Sequence, residues 1–402
     1  MNQKLNEKGQ ALIIIALAAV VLFGFTALAV DGSRAFSDKR NAQNAADAAA
    51  LAGSLAYIRG NNATDAAQTR ATSNGYDNGV KSDVTITLTD ITKASGICGD
   101  VAGKEIQVDI VSYIDTTFAR VIGTNQVINR VTATGRGCGF YRAPLFNGNA
   151  IVGLNPTNTQ CAYDSGNSGA VHWNVEGGGI FSNGCAFTKN ASTVDLNGYC
   201  MTSVGGASGF VCQNSNQASE AVSYPADVLA MMPPNPCDGT PGDIGLPQGS
   251  GSNFSYGVYC ITDMDALDKK DIVLDNAMLY VTDPSFDLKF AGSGGFYGTP
   301  YPVGDYANYY MIVAYNGDPC TSFTDKKSQV IEWRGNGAGS FSGTVLAPSA
   351  CIDLRGNADQ SAMHSQIIAY NVGSNGNAEV YIKYESDENV KLPVQPSVTL
   401  VK

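Results

Sequence analysis

Histidine and tryptophan occur only twice each in the 402 residues, and the two histidines, His172 and His364, stand apart. Neither sits in His-Glu-x-x-His or another close ligand cluster, so both read as structural or surface residues and no metal site is indicated. No Cys-x-x-Cys pair occurs, which argues against a zinc ribbon and a thioredoxin-like redox centre. There is no Gly-x-Ser-x-Gly elbow and no Walker loop. The glycine runs Gly292-Ser293-Gly294-Gly295 and Gly335-Asn336-Gly337 lack the strand-to-helix setting of a phosphate cradle and read as turns. Basic charge is also scarce. Lys and Arg number 25 against 36 acidic residues, for a net charge of −11, and Lys189 is the only Lys or Arg between Ala143 and Cys260. Nucleic acid, which needs a basic footprint, is excluded as a partner. No catalytic residue and no cofactor are indicated, and the chain reads as a non-enzyme.

What is present begins with an uncharged run, Ala11 to Val30, that includes Leu17 and Phe23. Twenty helical residues cover about 30 Å, the hydrocarbon thickness of a bilayer. Lys4 and Lys8 precede it, opposed only by Glu7, so the positive-inside rule puts residues 1–10 in the cytoplasm and the bulk outside. Ala27-Leu28-Ala29 has the small-x-small form that signal peptidase accepts. The run is longer than a usual signal core, so a retained anchor is expected ahead of a cleaved signal.

Residues 31–60 read as an alanine-rich packing helix continuous with the anchor. Ala35, Ala42, Ala45, Ala49, Ala52 and Ala56 recur at helical spacing, and Gln43 and Asp47 sit at i,i+4. Small side chains let a neighbouring helix approach closely. The expected partner is the short helix at 115–123, capped by Asp115 and stopped by Gly123, or a helix of another subunit. Gly60-Asn61-Asn62 ends the stripe. Residues 61–140 then read as a small α+β unit of strand, strand, helix, strand. Val84, Ile86 and Leu88 alternate with threonines, Ile106, Val108 and Ile110 with polar residues, and Val127 to Thr134 forms another strand.

The Gly-Gln-Ala-Leu-Ile opening, the "AVDGSRAF" membrane exit, "RNAQNAADAAALAGS" and "EIQVDIVSYIDTTFARVIGTNQVINRVTATGR" resemble the TadE/TadG-like pilus-assembly proteins of the tight-adherence (Flp) system, over about residues 8 to 136. The resemblance implies a bitopic, extracytoplasmic component of pilus assembly or of the cell envelope. The fifth residue after Gly9 is Ile14, where pilins carry glutamate, so prepilin-type processing is not expected.

From about Leu145 short apolar groups alternate with Gly, Asn and Ser clusters, without a strict period. They fit the rungs of a parallel β-helix or the strands of a β-sandwich. The stretch "SQVIEWRGNGAGSFSGTVLAPSACIDLRGNADQSAMHSQIIAYNVGSNGNAEVYIKY" resembles β-helical domains attached to TadG-like and other surface proteins, which favours the β-helix. The expected fold is mainly β: a transmembrane helix at 11–30, a packing helix, the α+β unit, a β-rich outer domain at 145–390 and a loose tail at 391–402. Residues 213–255 read as an excursion from the coil. All ten cysteines, Cys98, Cys138, Cys161, Cys185, Cys200, Cys212, Cys237, Cys260, Cys320 and Cys351, lie beyond the apolar run. An even number in an exported chain points to disulfides, with Cys200–Cys212 and Cys237–Cys260 the favoured couples. Phe296, Tyr297, Tyr301, Tyr306, Tyr309 and Tyr310 form an aromatic cluster that is the best candidate for a contact surface, the alternative being ordinary packing of a loop over the coil. The functional expectation is an anchored structural or adhesive component whose partners are the membrane, pilus-assembly or envelope proteins and surface glycans. The alternative is an anchored β-helix that binds or cleaves carbohydrate, its carboxylates supplied by distant rungs.

Overall fold

In a computed structural model of the protein, the apolar run and the alanine stripe form one unbroken helix, α1 (Lys8–Ile58). The structure describes residues 8–99, 101–165, 171–188, 193–208, 220–238, 252–291, 294–324, 327–334, 340–355, 363–375 and 378–401. Two compact units emerge: residues 1–143 with 393–402, and residues 144–392.

In the first unit α1 is followed by a second helix, α2 (Ala63–Ser73), which the sequence reading did not anticipate. Its start is set by Asn62, whose side-chain oxygen accepts from the N–H groups of Thr64 and Asp65 at 3.0 and 3.2 Å. Strands β1 (Ser82–Ile91), β2 (Gly103–Asp115) and β3 (Gln126–Cys138) form an antiparallel meander. Ile106, Val108 and Ile110 point from β2 into a core shared with the alanines of α1 and α2. Ser397–Val401, expected as a loose tail, is a strand that pairs antiparallel with β3. Val398 and Leu400 alternate with Ser397 and Thr399 there, the period-2 pattern of an edge strand.

The second unit is mainly β, and its ladders are parallel. Ile151–Gly153, Ile180–Ser182 and Met201–Ser203 lie side by side, and so do Tyr163–Asp164, Ala186–Phe187 and Ala207–Ser208. Each of these passes thus adds a strand to both ladders. A second series of passes supplies Asn253–Ile261, Ile272–Val281, Tyr309–Val313, Ser342–Arg355 and His364–Asn375. It ends beside the first series, with Ile367 opposite Ile151 and Val372 opposite Tyr163.

Two rows of side chains run through this ladder. Met201, Ile180, Ile151, Ile367, Val345, Met311 and Leu279 stack in one core. Their successors Phe181, Val152, Ile368, Leu346, Ile312 and Tyr280 stack on the opposite face in another. Burial on both faces is normal for parallel sheet. The second face is covered in part by the excursion, where Val228 of the short helix Ala226–Met231 is 1 % exposed.

Among the described residues four disulfides have both partners: Cys98–Cys138, Cys161–Cys185, Cys237–Cys260 and Cys320–Cys351. Cys237–Cys260 is one of the two expected pairs. Cys200 is also disulfide-bonded. Cys212, residues 1–7 and the glycine-rich positions 292–293 and 335–337 lie outside the described residues.

Candidate functional site

The site with a distinct physical character is the passage of α1 from bare to packed helix. Leu17, Phe23 and Val30 are 63, 75 and 40 % exposed. Ala11 begins this run, and its helix is long and apolar enough to cross a membrane. Beyond Val30 burial sets in, first at Asp31 and then along the alanines from Ala42. Asp31 is 6 % exposed, and Ala42, Ala45, Ala46, Ala49 and Ala50 are all at or below 1 %. The helix is thus apolar and exposed up to Val30, carries the exposed charges Arg34, Lys39 and Arg40 beyond it, and is alanine-lined where protein covers it from Ala42 on.

Polar hooks fix the start of the packed half. The carboxylate of Asp31 accepts from the backbone N–H groups of Thr117, Phe118 and Ala119 at 2.9, 2.9 and 2.7 Å. These donors, Ala119 and Thr117 foremost, hold its pKa below the ordinary aspartate value. Arg34 adds a bond to Thr117 Oγ1 at 2.9 Å. The expected α-helix at 115–123 is a single 3-10 turn, Ala119–Ile122. Asp115, expected to cap it, is the last residue of β2; the capping acceptor comes from α1 instead. Gly123 ends the turn in the left-handed region, at φ 91°.

Two turns on, Asp38 accepts from the Tyr76 hydroxyl (3.1 Å), from the Ser112 hydroxyl and from the Asn129 amide (2.9 Å). Burial, with the neighbouring Asp38 charge, raises the Tyr76 pKa well above its ordinary value. Asp47, half-buried, accepts from Gln43 at 2.8 Å, and Gln43 also donates to the Thr132 carbonyl. Ala35 and Ala52 are half-buried.

The alanines dock on α2 and the sheet rather than on the turn at 119–122. Ala63, Ala67 and Ala71 of α2 share their core. On the other side α1 lies against β3 where that strand has no side chain. A Cβ on Gly135 would stand 2.5 Å from the Ala50 carbonyl oxygen, and one on Gly137 would stand 2.9 Å from the Ser54 carbonyl oxygen. Gly53 of α1 likewise clears Ile106 and the Ala63 carbonyl. Small residues thus face small residues across both contacts. The alternation Gly135-x-Gly137 at the end of a strand that holds Val127, Ile128, Val131, Thr132 and Thr134 was the sequence signal for this approach, and Asp31 directly after the apolar run was the signal for the clamp.

The aromatic cluster divides. Phe296, Tyr309 and Tyr310 are at or below 1 % exposed, which corrects their assignment to a contact surface. Phe296 meets Phe290 and Tyr310 edge-on, at centroid distances of 4.9 and 5.4 Å, inside the first core of the second unit. Tyr309 lies in the second core. Tyr297, Tyr301 and Tyr306 are half-buried; Tyr301 packs edge-on to the exposed Tyr256, and the Tyr306 hydroxyl donates to the Pro234 carbonyl at 2.8 Å.

Residues 9–68 match the family model Tad, Flp pilus-assembly TadE/G-like. The match covers the apolar run, the whole packed half of α1 and the first turns of α2. Neither the curated proteins nor the solved structures contain a match to this chain.

Proposed function

We propose that this chain is a single-pass, non-enzymatic envelope protein, with Lys4 and Lys8 cytoplasmic and the rest outside, that serves Tad/Flp pilus assembly as a structural or adhesive component. The observation that carries the reading is that the Tad match falls on the helix that is both the apolar run and the framework of the first unit. Such a helix transmits position rigidly, because no loop separates the bare half from the packed half. The pilus-assembly family implies envelope or pilus proteins as partners. The second unit is the displayed part, and Tyr256, Tyr297, Tyr301 and Tyr306 are its candidate contact residues.

The test is localisation in intact cells against isolated pili, combined with labelling of lysines by a membrane-impermeant reagent. The reading expects labelling of residues beyond 31 from outside, an intact mass near 42.0 kDa, and recovery with the envelope or the pilus. A mature amino terminus at Val30 would remove the anchor. Recovery only in the soluble exported fraction would overturn the assignment to the envelope.

A further inference from the structure

His364, Glu385 and Glu388 converge in the second unit, each half-buried, with one ligand atom apiece inside a 4.8 Å circle. His364 opens the strand His364–Asn375, and the two glutamates lie in the loop that follows the strand Ala378–Lys383. His364 Nδ1 lies 3.3 Å from Glu388 Oε2 and 3.8 Å from Glu385 Oε2. Ligand atoms 2.0–2.2 Å from a tetrahedral zinc ion stand about 3.3–3.6 Å apart, so the present spacing already approximates a coordination shell.

Two further features separate this cluster from a surface ion pair. Glu388 Oε2 is itself buried and accepts no hydrogen bond from a described residue, although it faces the imidazole nitrogen. A buried carboxylate oxygen without a donor is costly unless a cation meets it. The second feature is the frame. The Asn389 side chain, 0 % exposed, donates from Nδ2 to the backbone carbonyls of both Glu385 (2.9 Å) and His364 (3.4 Å). Its Oδ1 accepts from the Gln366 N–H at 2.8 Å and the Thr344 hydroxyl at 3.2 Å. Asn308 holds the same loop through the carbonyls of Asp387 and Asn389. Lys383 binds Glu385 Oε1 at 2.5 Å, which leaves Glu385 Oε2 turned to His364. The ligand backbones are thus fixed before any ion arrives, as outer partners fix metal ligands elsewhere.

We propose that His364, Glu385 and Glu388 form a binding site for a borderline divalent transition-metal ion of the zinc class, with one position left to water. One imidazole and two carboxylates suit such an ion better than magnesium or calcium, which prefer oxygen alone. The ion clips the loop at 385–389 to the strand that begins at His364. The proposal is independent of the pilus assignment.

The experiment uses the full chain in detergent, without a histidine tag and after chelator treatment, titrated with zinc chloride by calorimetry. One saturable site per chain is expected, with binding of magnesium and calcium much weaker. Glu388→Gln, which keeps size and shape, should weaken zinc binding by more than the roughly 10–100-fold that loss of an outer partner gives. His364→Ala should do the same, and His172→Ala should leave binding unchanged. Zinc should also raise the unfolding temperature of the parent and not that of Glu388→Gln. Absence of saturable zinc binding overturns the proposal, as does binding that persists undiminished in Glu388→Gln or disappears in His172→Ala. If His364→Ala fails to fold, Glu385→Gln and Glu388→Gln together read the same site.

Discussion

Replacing Gly135 with alanine tests whether the close approach of α1 to β3 holds the first unit together. The added methyl would lie 2.5 Å from the Ala50 carbonyl oxygen, 2.6 Å from Ser54 Oγ and 2.7 Å from the Ala50 carbonyl carbon. Ordinary contact begins at 3.4 Å, so helix and sheet must separate by about 0.9 Å. Neither opposing group turns aside easily, because the Ser54 hydroxyl donates to the Ala50 carbonyl at 2.8 Å in the middle of a helix. Separation also loosens Ala46, Ala49 and Ala50 from their neighbours, and gaps of that width forfeit a quarter to a half of each dispersion contact. The loss should stand at the upper end of overpacking effects, about 3 kcal/mol.

Hydrogen exchange of the α2 and β3 amides gives the readout, since their protection reports the opening free energy of the unit. A loss of about 3 kcal/mol speeds fully protected amides roughly 150-fold. Gly139→Ala is the internal control: nothing lies within 4 Å of its added Cβ, and the change should be neutral or slightly stabilising. If Gly135→Ala exchanges within about 0.5 kcal/mol of the parent, or matches Gly139→Ala, the small-on-small docking is not what stabilises the unit.

Three further predictions follow from the same geometry. The Asp31 clamp should be complete above the ordinary carboxylate pKa and lost only as pH falls through the lowered folded value. In Asp31→Asn the acid-dependent part of exchange at Thr117–Ala119 should disappear; an unchanged pH profile would refute the clamp. Removing Cys98–Cys138 with a double serine substitution releases a loop of 40 residues; the chain-entropy relation sets the loss at roughly 4 kcal/mol, read by denaturant titration, and a midpoint equal to the parent's would sink it. Ile367→Ala sits where the two strand series meet and is fully buried, so it should destabilise the second unit by about 2–5 kcal/mol; near-full stability would mean the junction is not cooperative.

Local patterns carried the parts of the fold that local physics decides. A twenty-residue uncharged run and an alanine stripe in phase with it dictate a continuous helix whatever else is present. Alternation at Val84–Leu88 and Ile106–Ile110 likewise dictated half-buried strands. The short helix α2 escaped notice because its buried face is only Ala63, Ala67 and Ala71, which carry little contrast against polar neighbours. The capping of the turn at 119–122 escaped because its acceptor, Asp31, is distant in sequence. The aromatic cluster misled for a related reason: composition does not say which face of a coil a tyrosine occupies, and Tyr309 and Tyr310 are both buried, in different cores. His364 and its two glutamates were invisible as a group, since their proximity depends on a loop held by Asn389 and not on spacing.

The deepest gap between sequence and structure is the order of strands in the second unit. Along the ladder the strands run from Met201–Ser203 through Ile180–Ser182 and Ile151–Gly153 to His364–Asn375, then back through Ser342–Arg355, Tyr309–Val313 and Ile272–Val281 to Asn253–Ile261. In the first series each new strand moves away from Ile151–Gly153, and in the second each moves toward it. Traversed in space, both series advance in the same sense, so the stack is continuous although the chain is not. The chain therefore enters and leaves this unit beside neighbouring strands in the middle of the stack, and neither terminal strand of the ladder is an end of the unit's sequence. Residues 393–402 belong to the first unit and complete its sheet beside β3. A repeat search cannot find this strand order, because the decisive pairing of Ile367 with Ile151 joins opposite ends of the outer segment. What selects it is burial on both faces: the row Ile151–Ile367–Val345 and the row Val152–Ile368–Leu346 are continuous only if the two series meet there.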